Sequence, residues 1–406
     1  MISKRLSSEL NCFRWIAAFM VVVSHLRNIL FVEYVALENK TIPVKLLYFF
    51  TGFGHEAVVV FFVISGLLVG GTAIDKYAKG RFDPADFVIH RFSRIYIVLI
   101  PALAACSLLD HAGLAYFNGS LLYTQGSQPN YHTVFAENMD WGTALANLFM
   151  MQHISSNMFG SDGPLWSLSY EWWYYSLFFL ATAGIAWARS LWVRGLSGAL
   201  ILLLLYWLPV EPIVWFSIWL LGAAIGFSPL RRLRIPPLLA YAIFFSILIW
   251  SRFDHTYAHS HTLLTNFRRD FAVAIGCFLL FTALRRSESL KAKGEKFHRF
   301  FAEFSYTIYL VHLPFIAFMA AAMQQVFEIR FYQQPTLFGC LYFVSLLTAT
   351  YLYSYGFSLL TERYTPRLRA ALNSVYHSWR GYAADDGSVF AQEPAATKNA
   401  AVPGDY

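Results

Sequence analysis

The chain has 406 residues, of which 57% are hydrophobic, 18% aromatic and only 14% charged. Soluble domains carry about 25% charged residues, so this composition excludes an ordinary soluble enzyme and favours an integral membrane protein. The formal net charge of +7 would suit a nucleic-acid-binding protein, but the positions of the basic residues favour a different explanation.

Apolar runs of about 20 residues, the length that crosses a bilayer as a helix, recur along the chain. We therefore predict an all-α polytopic bundle of about ten transmembrane helices at residues 12–31, 46–71, 90–110, 165–187, 192–208, 212–228, 237–251, 268–284, 304–325 and 336–361. With a cytoplasmic N-terminus, most of the 31 Lys and Arg residues lie in inward-facing gaps, whereas residues 111–166 contain none. This asymmetry predicts that both termini are cytoplasmic and that the basic charge sets the membrane orientation, with no nucleic-acid partner.

One membrane-embedded domain is predicted over residues 1–375, followed by a disordered cytoplasmic tail over 376–406 that cannot bury a core. The first apolar run lacks a cleavage site and is expected to be retained as a span. In the outer loop at 111–164, the apolar piece WGTALANLFMMQH is too short to span and is expected at the interface or re-entrant. The four cysteines lie singly in different spans, so neither a disulfide nor a metal site is predicted.

The first span, FRWIAAFMVVVSHLR, carries Arg14 and His25. Eleven helical residues turn the chain to within roughly 20° of its starting direction and advance it by roughly 16 Å, so both side chains share one face. A snorkelling anchor would explain Arg14 alone, and an interhelical hydrogen bond would explain His25 alone. Their shared face favours a functional interpretation, in which a neutral imidazole just beyond mid-span acts as a general base.

The third span opens with FVIHRFSRIYIVLIP, which places Arg91 and Arg94 three residues apart on one helical face. Two adjacent guanidiniums suit a phosphate group, which arginine binds through paired hydrogen bonds. A positive-inside anchor that contacts lipid headgroups is the alternative.

The fourth span begins with GPLWSLSYEWWYYSLFFL, in which Glu171 lies among aromatic residues. An interfacial aromatic belt explains most of these aromatics, including Trp166 and Trp172. A carboxylate within a span needs a donor or a cation, and Glu171 is predicted at a depth similar to His25. It is therefore a candidate for orienting the imidazole, as the carboxylate does in a catalytic triad.

Two further spans carry polar residues that need an explanation. In FSYTIYLVHLP, Ser305, Tyr309 and His312 form one helical stripe, which either packs structurally or belongs to a site. The second span has His55 and Glu56 at its outer mouth, and Ser65 followed by several glycines near its inner end. Small residues permit close helix packing or leave room for a ligand, and the sequence does not choose between these alternatives.

These stretches resemble, in order and spacing, the acyltransferase-3 family of integral membrane acyltransferases over about residues 8–362. That family carries an Arg, ten residues and a His in its first helix, then FFxxSG, a basic pair, W-S-L-x-x-E and finally S-Y-x-x-Y-x-x-H-x-P. The matching residues are, in that order, Arg14 and His25; Phe61, Phe62, Ser65 and Gly66; Arg91 and Arg94; Trp166, Ser167, Leu168 and Glu171; and Ser305, Tyr306, Tyr309, His312 and Pro314.

The resemblance implies transfer of an acyl group, often acetyl, from cytoplasmic acyl-CoA to a hydroxyl of a glycan or other acceptor, with no bound cofactor. On this interpretation, His25 is the general base and Glu171 supports it. The expected acyl-CoA-binding residues are Arg14, Arg91, Arg94, Ser65, Tyr309 and His312. The expected acceptor-binding residues are Trp166, Trp172, His55 and Glu56.

Several alternatives stay open at this point. A covalent acyl-His25 intermediate is compatible with the same residues, and so is a homo-oligomer. A transporter of an anionic metabolite or glycan would also need a polar stripe, although no inverted repeat or matched pair of broken helices is evident. The expected location is a bacterial inner membrane, with the lipid bilayer as a partner.

Overall fold

The computed structural model describes residues 4–124, 135–227, 235–253, 262–286 and 294–387. Within these ranges the chain is helical and has no β-strand, so the predicted all-α class is confirmed. The basic loop residues that support the predicted topology but lie outside the described residues are Arg231, Arg232, Arg234, Lys291 and Lys293.

Fifteen helices, numbered here along the described chain, form the bundle, and two of them continue as π-helices. They are α1 (Lys4–Leu30), α2 (Ile42–Phe50), α3 (Gly54–Ser65, continued by the π-helix Gly66–Gly71 and by Thr72–Ala78), α4 (Pro84–Tyr116), α5 (Leu121–Thr124), α6 (Trp141–Leu148), α7 (Trp166–Phe179, continued by the π-helix Leu180–Trp187), α8 (Leu191–Trp207), α9 (Val210–Ala224), α10 (Pro237–Phe253), α11 (Leu263–Arg286), α12 (Glu295–Glu303), α13 (Ser305–Phe327), α14 (Leu337–Leu360) and α15 (Thr365–Gly387). A 3₁₀ turn at Glu362–Tyr364 joins α14 to α15.

Each predicted span overlaps at least one described helix. Five stretches are long and apolar enough to cross a bilayer, namely Arg5–Leu30, Ile42–Ala78, Pro84–Tyr116, Ser305–Phe327 and Leu337–Trp379. The helices α8, α9 and α10 are apolar but shorter. The chain is therefore a multi-helix membrane protein, while the count of ten spans and the side of the termini stay predictions.

The described part of the C-terminus is helical further than the sequence suggested. Helix α15 runs to Gly387, past the predicted domain boundary at residue 375 and into the predicted tail. The remaining tail residues, 388–406, lie outside the described residues.

The apolar piece of the predicted outer loop forms the short helix α6. Asp140 caps it by accepting hydrogen bonds from the Thr143 backbone N–H at 3.0 Å and hydroxyl at 2.6 Å. These bonds stabilise the carboxylate and hold the pKa of Asp140 below its usual value. Eight residues span about 12 Å, so α6 is too short to cross a bilayer, as predicted.

The glycines of the second predicted span are explained by close helix packing. A Cβ atom on Gly66 would lie 2.0 Å from the Trp219 carbonyl oxygen, and one on Gly222 would lie 2.1 Å from the Val63 carbonyl oxygen. Glycine at both positions therefore lets the backbones of α3 and α9 touch.

Replacing Gly66 tests this backbone contact. Gly66→Ala should destabilise the fold by about 1–3 kcal/mol, because the added methyl group overlaps backbone atoms of α9. Gly356→Ala in α14 is the matched control, since a Cβ there meets nothing within 4 Å, and it should be neutral or stabilising. Thermal unfolding of both variants in one detergent checks the difference; equal losses would contradict close packing at Gly66.

Candidate functional site

Most of the predicted donor-binding residues line one cavity. We call the side of the bundle at which α1 begins the near side, and the side at which it ends the far side. A cavity of about 370 Å³, the smaller cavity, is lined by residues of α1, α3, α4, α7, α13 and α15. The predicted site residues in its lining are Arg14, Ser65, Arg91, Arg94, Glu171 and Tyr309.

A second cavity of about 680 Å³, the larger cavity, adjoins the first on the near side. Arg14, Arg94 and Arg369 line both cavities, so they mark the junction. The other charged and aromatic residues that line the larger cavity are Arg299, Phe300, Glu303, Phe304, Tyr355, Glu362 and Arg363. The two cavities therefore share an arginine-rich border.

A buried carboxylate binds one of the three arginines at this junction. Glu362 Oε1 lies 2.8 Å from Arg94 Nη1, and Glu362 Oε2 accepts hydrogen bonds from the Thr307 backbone N–H at 3.1 Å and hydroxyl at 2.7 Å. Arg94 also lies over the Tyr306 ring, with its Cζ 5.3 Å from the ring centroid. Glu362 therefore ties the start of α13 to α4.

Glu171 belongs to a second hydrogen-bonded group in the smaller cavity. Tyr175 Oη donates to Glu171 Oε1 at 2.5 Å and shares a 3.0 Å hydrogen bond with Ser65 Oγ. Ser65 Oγ also accepts from Trp219 Nε1 at 3.1 Å. Arg91 lies over the Tyr175 ring, with its Cζ 5.8 Å from the centroid. These contacts place Glu171 beside the cations and the tyrosine hydroxyl.

His25 lies against His312, with the ring centroids 5.2 Å apart. His312 is fully buried, and its Nδ1 lies 2.9 Å from the carbonyl oxygens of both Ile308 and Tyr309. Carbonyls only accept hydrogen bonds, so Nδ1 carries the proton and Nε2 keeps its lone pair. Among the described residues, His312 Nε2 and His25 Nδ1 have no hydrogen-bond partner.

The histidine pair adjoins the smaller cavity without lining it. Tyr309 lines the cavity, and its ring centroid lies 6.1 Å from that of His312. Tyr309 Oη is held by Ser167 Oγ at 2.6 Å and by the Pro164 carbonyl at 3.1 Å. His312 was predicted in the donor site, but it lies against His25 because α13 packs on α1. Glu171 was predicted to contact His25, but its hydrogen bond is to Tyr175.

The predicted acceptor residues separate into three places. The His55 ring stacks on Trp166 at 6.5 Å, and its Nε2 lies 2.8 Å from Asp270 Oδ2. Glu56 is buried and its carboxylate accepts a 3.1 Å hydrogen bond from Ser251 of α10, whereas the His55 side chain is 40% exposed. Trp172 packs edge-on against Tyr96 at 5.4 Å. Within this set, His55 and Trp166 are the two residues whose rings stack on each other.

Four residues that line the two cavities were not predicted from the sequence, namely Tyr175, Glu362, Arg363 and Arg369. Tyr175 lies four residues after Glu171, and this spacing brings two side chains together on a helix. The other three lie in TERYTPRLRA, directly after the last predicted span. A charged run there resembles an ordinary cytoplasmic anchor, and only the packing of α15 brings Arg369 to the cavity.

Comparisons with known proteins agree with the family resemblance. The family model described as an acyltransferase domain matches residues 7–355. The O-acetyl transferase of Shigella phage Sf6 is 32% identical over 171 residues, which cover 40% of this chain and 42% of the phage protein. The chain thus matches less than half the length of that curated relative. No solved structure matches significantly.

The buried ion pair gives a stability prediction. Glu362→Gln should destabilise the protein by about 1–3 kcal/mol, because Arg94 loses its counter-ion inside the bundle. Glu303→Gln is the matched control: its pair with Arg299 is exposed and 3.9 Å long, and surface pairs contribute about 0–1 kcal/mol. Denaturant or thermal unfolding measures both; a loss no larger for Glu362→Gln than for the control would refute the assigned importance of the pair.

Proposed function

The chain belongs to the acyltransferase-3 family of integral membrane acyltransferases, and on that premise we propose that it moves an acetyl or related acyl group from cytoplasmic acyl-CoA to a hydroxyl. The acceptor in this proposal is a glycan or a related hydroxylated molecule. The similarity to the phage protein, which is named an O-acetyl transferase, supports acetyl as the transferred group. The main observation behind this proposal is the smaller cavity, which has arginines at one end and the uncharged residues Ser167 and Tyr309 at the other.

The lining of the smaller cavity fits a thioester donor. Arg14, Arg91 and Arg94 offer guanidiniums, which bind phosphate oxygens through paired, charge-assisted hydrogen bonds. The rest of the wall is largely apolar, with Phe61 and Phe62 among its residues. An uncharged pantetheine arm suits such a wall, whereas the phosphates of CoA suit the arginines.

In the proposed reaction, His25 takes the proton of the acceptor hydroxyl while that oxygen attacks the thioester carbonyl. The carbon–sulfur bond then breaks, the ester forms, and the imidazolium returns its proton to the departing CoA thiolate. A general base of this kind contributes typically 10²–10⁴-fold. Attack by His25 itself, with a covalent acyl-imidazole intermediate, would give ping-pong kinetics instead.

We assign to His312 the positioning function first expected of Glu171. Its Nδ1 proton is bound by two backbone carbonyls, so its Nε2 can only accept. A His25 N–H directed at that lone pair would leave the other His25 nitrogen unprotonated and available as a base. Glu171, hydrogen-bonded to Tyr175, instead balances the charge of the nearby arginines.

The acceptor is proposed to approach from the far side. His55 and Trp166 stack there, and Ser167, the next residue, lines the smaller cavity. A stacked aromatic surface suits the face of a sugar ring.

We further propose ten spans in a bacterial inner membrane with both termini in the cytoplasm, so that donor and acceptor would enter from opposite sides.

Removal of the proposed base gives the first kinetic test. His25→Ala should lower kcat for transfer from acetyl-CoA at least a hundredfold, because the hydroxyl loses its proton acceptor. His111→Ala, at an exposed histidine in α4, should stay within about twofold of the wild type. Purified proteins in detergent with radiolabelled acetyl-CoA suffice, since transfer needs no closed vesicle. Normal activity in a folded His25→Ala protein would refute the assignment.

A second kinetic test separates donor binding from chemistry. Arg91→Ala should raise the KM for acetyl-CoA about tenfold or more with kcat within a few-fold, because it removes a contact that bound and reacting donor share. Arg189→Ala, in an exposed loop that lines neither cavity, should leave both constants unchanged. Steady-state kinetics over a range of acetyl-CoA concentrations decides it. A fall in kcat with unchanged KM would contradict a donor-binding function for Arg91.

A further inference from the structure

We propose that the larger cavity binds the nucleotide half of the donor, the adenosine 3′,5′-bisphosphate unit, and that Arg363 and Arg369 make this chain select CoA thioesters over smaller thioesters. This inference rests on the proposed function and extends the donor site beyond the smaller cavity. It assigns a function to α15 and to the 3₁₀ turn that precedes it.

The two cavities are direct neighbours. Arg14, Arg94 and Arg369 line both of them, so a ligand can contact these guanidiniums from either side. The smaller cavity, of about 370 Å³, leads to Ser167 and Tyr309 beside the histidine pair. Adjoining it, the larger cavity of about 680 Å³ leaves room for a bulky group on the near side of the same ligand.

The charge of the larger cavity suits a ligand with several phosphates. Five arginines and two glutamates line it. Both glutamates are engaged, Glu362 with Arg94 and Glu303 with Arg299. Neither Arg363 nor Arg369 forms an ion pair with a carboxylate among the described residues, although the charge of Asp86 acts on Arg369 from a greater distance. These two guanidiniums are therefore available to phosphate oxygens.

The same cavity presents aromatic surface. Phe300 and Tyr355 have ring centroids 5.4 Å apart, and their exposed fractions are 44% and 38%. Phe304, which is buried, packs against both rings. Exposed aromatic rings beside arginines suit a nucleobase, because bases stack on aromatic side chains.

Helix α15 begins beside the ion pair at the junction. Thr365, at the start of α15, is buried and donates a 2.7 Å hydrogen bond to the Glu362 carbonyl. Glu362 is in turn bound to Arg94. Helix α15 therefore begins at the cavity edge, and Arg369 follows one turn later. Both new arginines lie beyond residue 355, where the family match ends.

Substrate comparison tests this assignment. The variant Arg363→Gln/Arg369→Gln is assayed with acetyl-CoA and with S-acetylpantetheine, which carries the thioester but no nucleotide. Arg367→Gln is the matched control, because Arg367 is on the same helix, lies over the Tyr364 ring and lines neither cavity.

The double variant should lower kcat/KM for acetyl-CoA at least 30-fold and leave kcat/KM for S-acetylpantetheine within twofold. Arg367→Gln should change neither value by more than twofold. An equal loss with both donors would mean that the two arginines act only structurally. No loss with either donor would mean that the nucleotide binds elsewhere. Each of these results overturns the inference.

An anionic lipid headgroup presents the same phosphate chemistry, so the assay is repeated in phosphatidylcholine nanodiscs with and without phosphatidylglycerol. Wild-type kcat/KM for acetyl-CoA should stay within twofold; a tenfold loss would assign the larger cavity to lipid and overturn the inference.

Direct binding of adenosine 3′,5′-bisphosphate by calorimetry separates this inference from the proposed function. If the wild type transfers no acetyl group, the proposed function fails. The inference then stands only if the wild type binds this nucleotide and the double variant binds it at least tenfold more weakly; equal or absent binding overturns it.

Discussion

The ion pair between Arg94 and Glu362 is the contact on which the near side of the bundle depends. A carboxylate inside a membrane bundle is unfavourable unless a cation and hydrogen-bond donors surround it. Glu362 obtains both, from Arg94 at 2.8 Å and from Thr307. This arrangement fixes α4, α13 and the turn before α15 to one another. Arg14 and Arg369 line the same junction, so the pair lies beside two further guanidiniums that border both cavities.

From this junction into the bundle, the polar groups change from charged arginines to neutral hydroxyl groups. Arginines border both cavities at the junction, whereas the far end of the smaller cavity has hydroxyl groups, such as those of Ser167 and Tyr309. Beyond Tyr309 lies the pair of His25 and His312. A donor with a charged nucleotide, a neutral arm and a reactive thioester has the same order of chemical groups. This correspondence is the physical basis of the proposed acyl transfer.

The sequence predicted the helices better than the contacts between distant helices. The shared face of Arg14 and His25 follows from local helix geometry, and both side chains lie within the bundle as that face predicts. The partner of His25, in contrast, does not follow from local helix geometry. His312 is far away in the sequence, and its pairing depends on how α13 packs on α1. Glu171 was expected there because its depth is similar, but depth does not specify which helix faces it. Arg369 was missed because α15 follows the last predicted span.

The most direct test of the account is a structure of the protein with a non-transferable acetyl-CoA analogue in which a ketone replaces the thioester. In the proposed acyl transfer, the ligand passes the junction arginines and its carbonyl carbon lies next to the His25 ring. Such an approach requires Tyr309 to be displaced or to lie beside the bound arm. A ligand whose carbonyl stays in the larger cavity, or whose path avoids the arginines and leaves His25 behind packed side chains, would contradict the account.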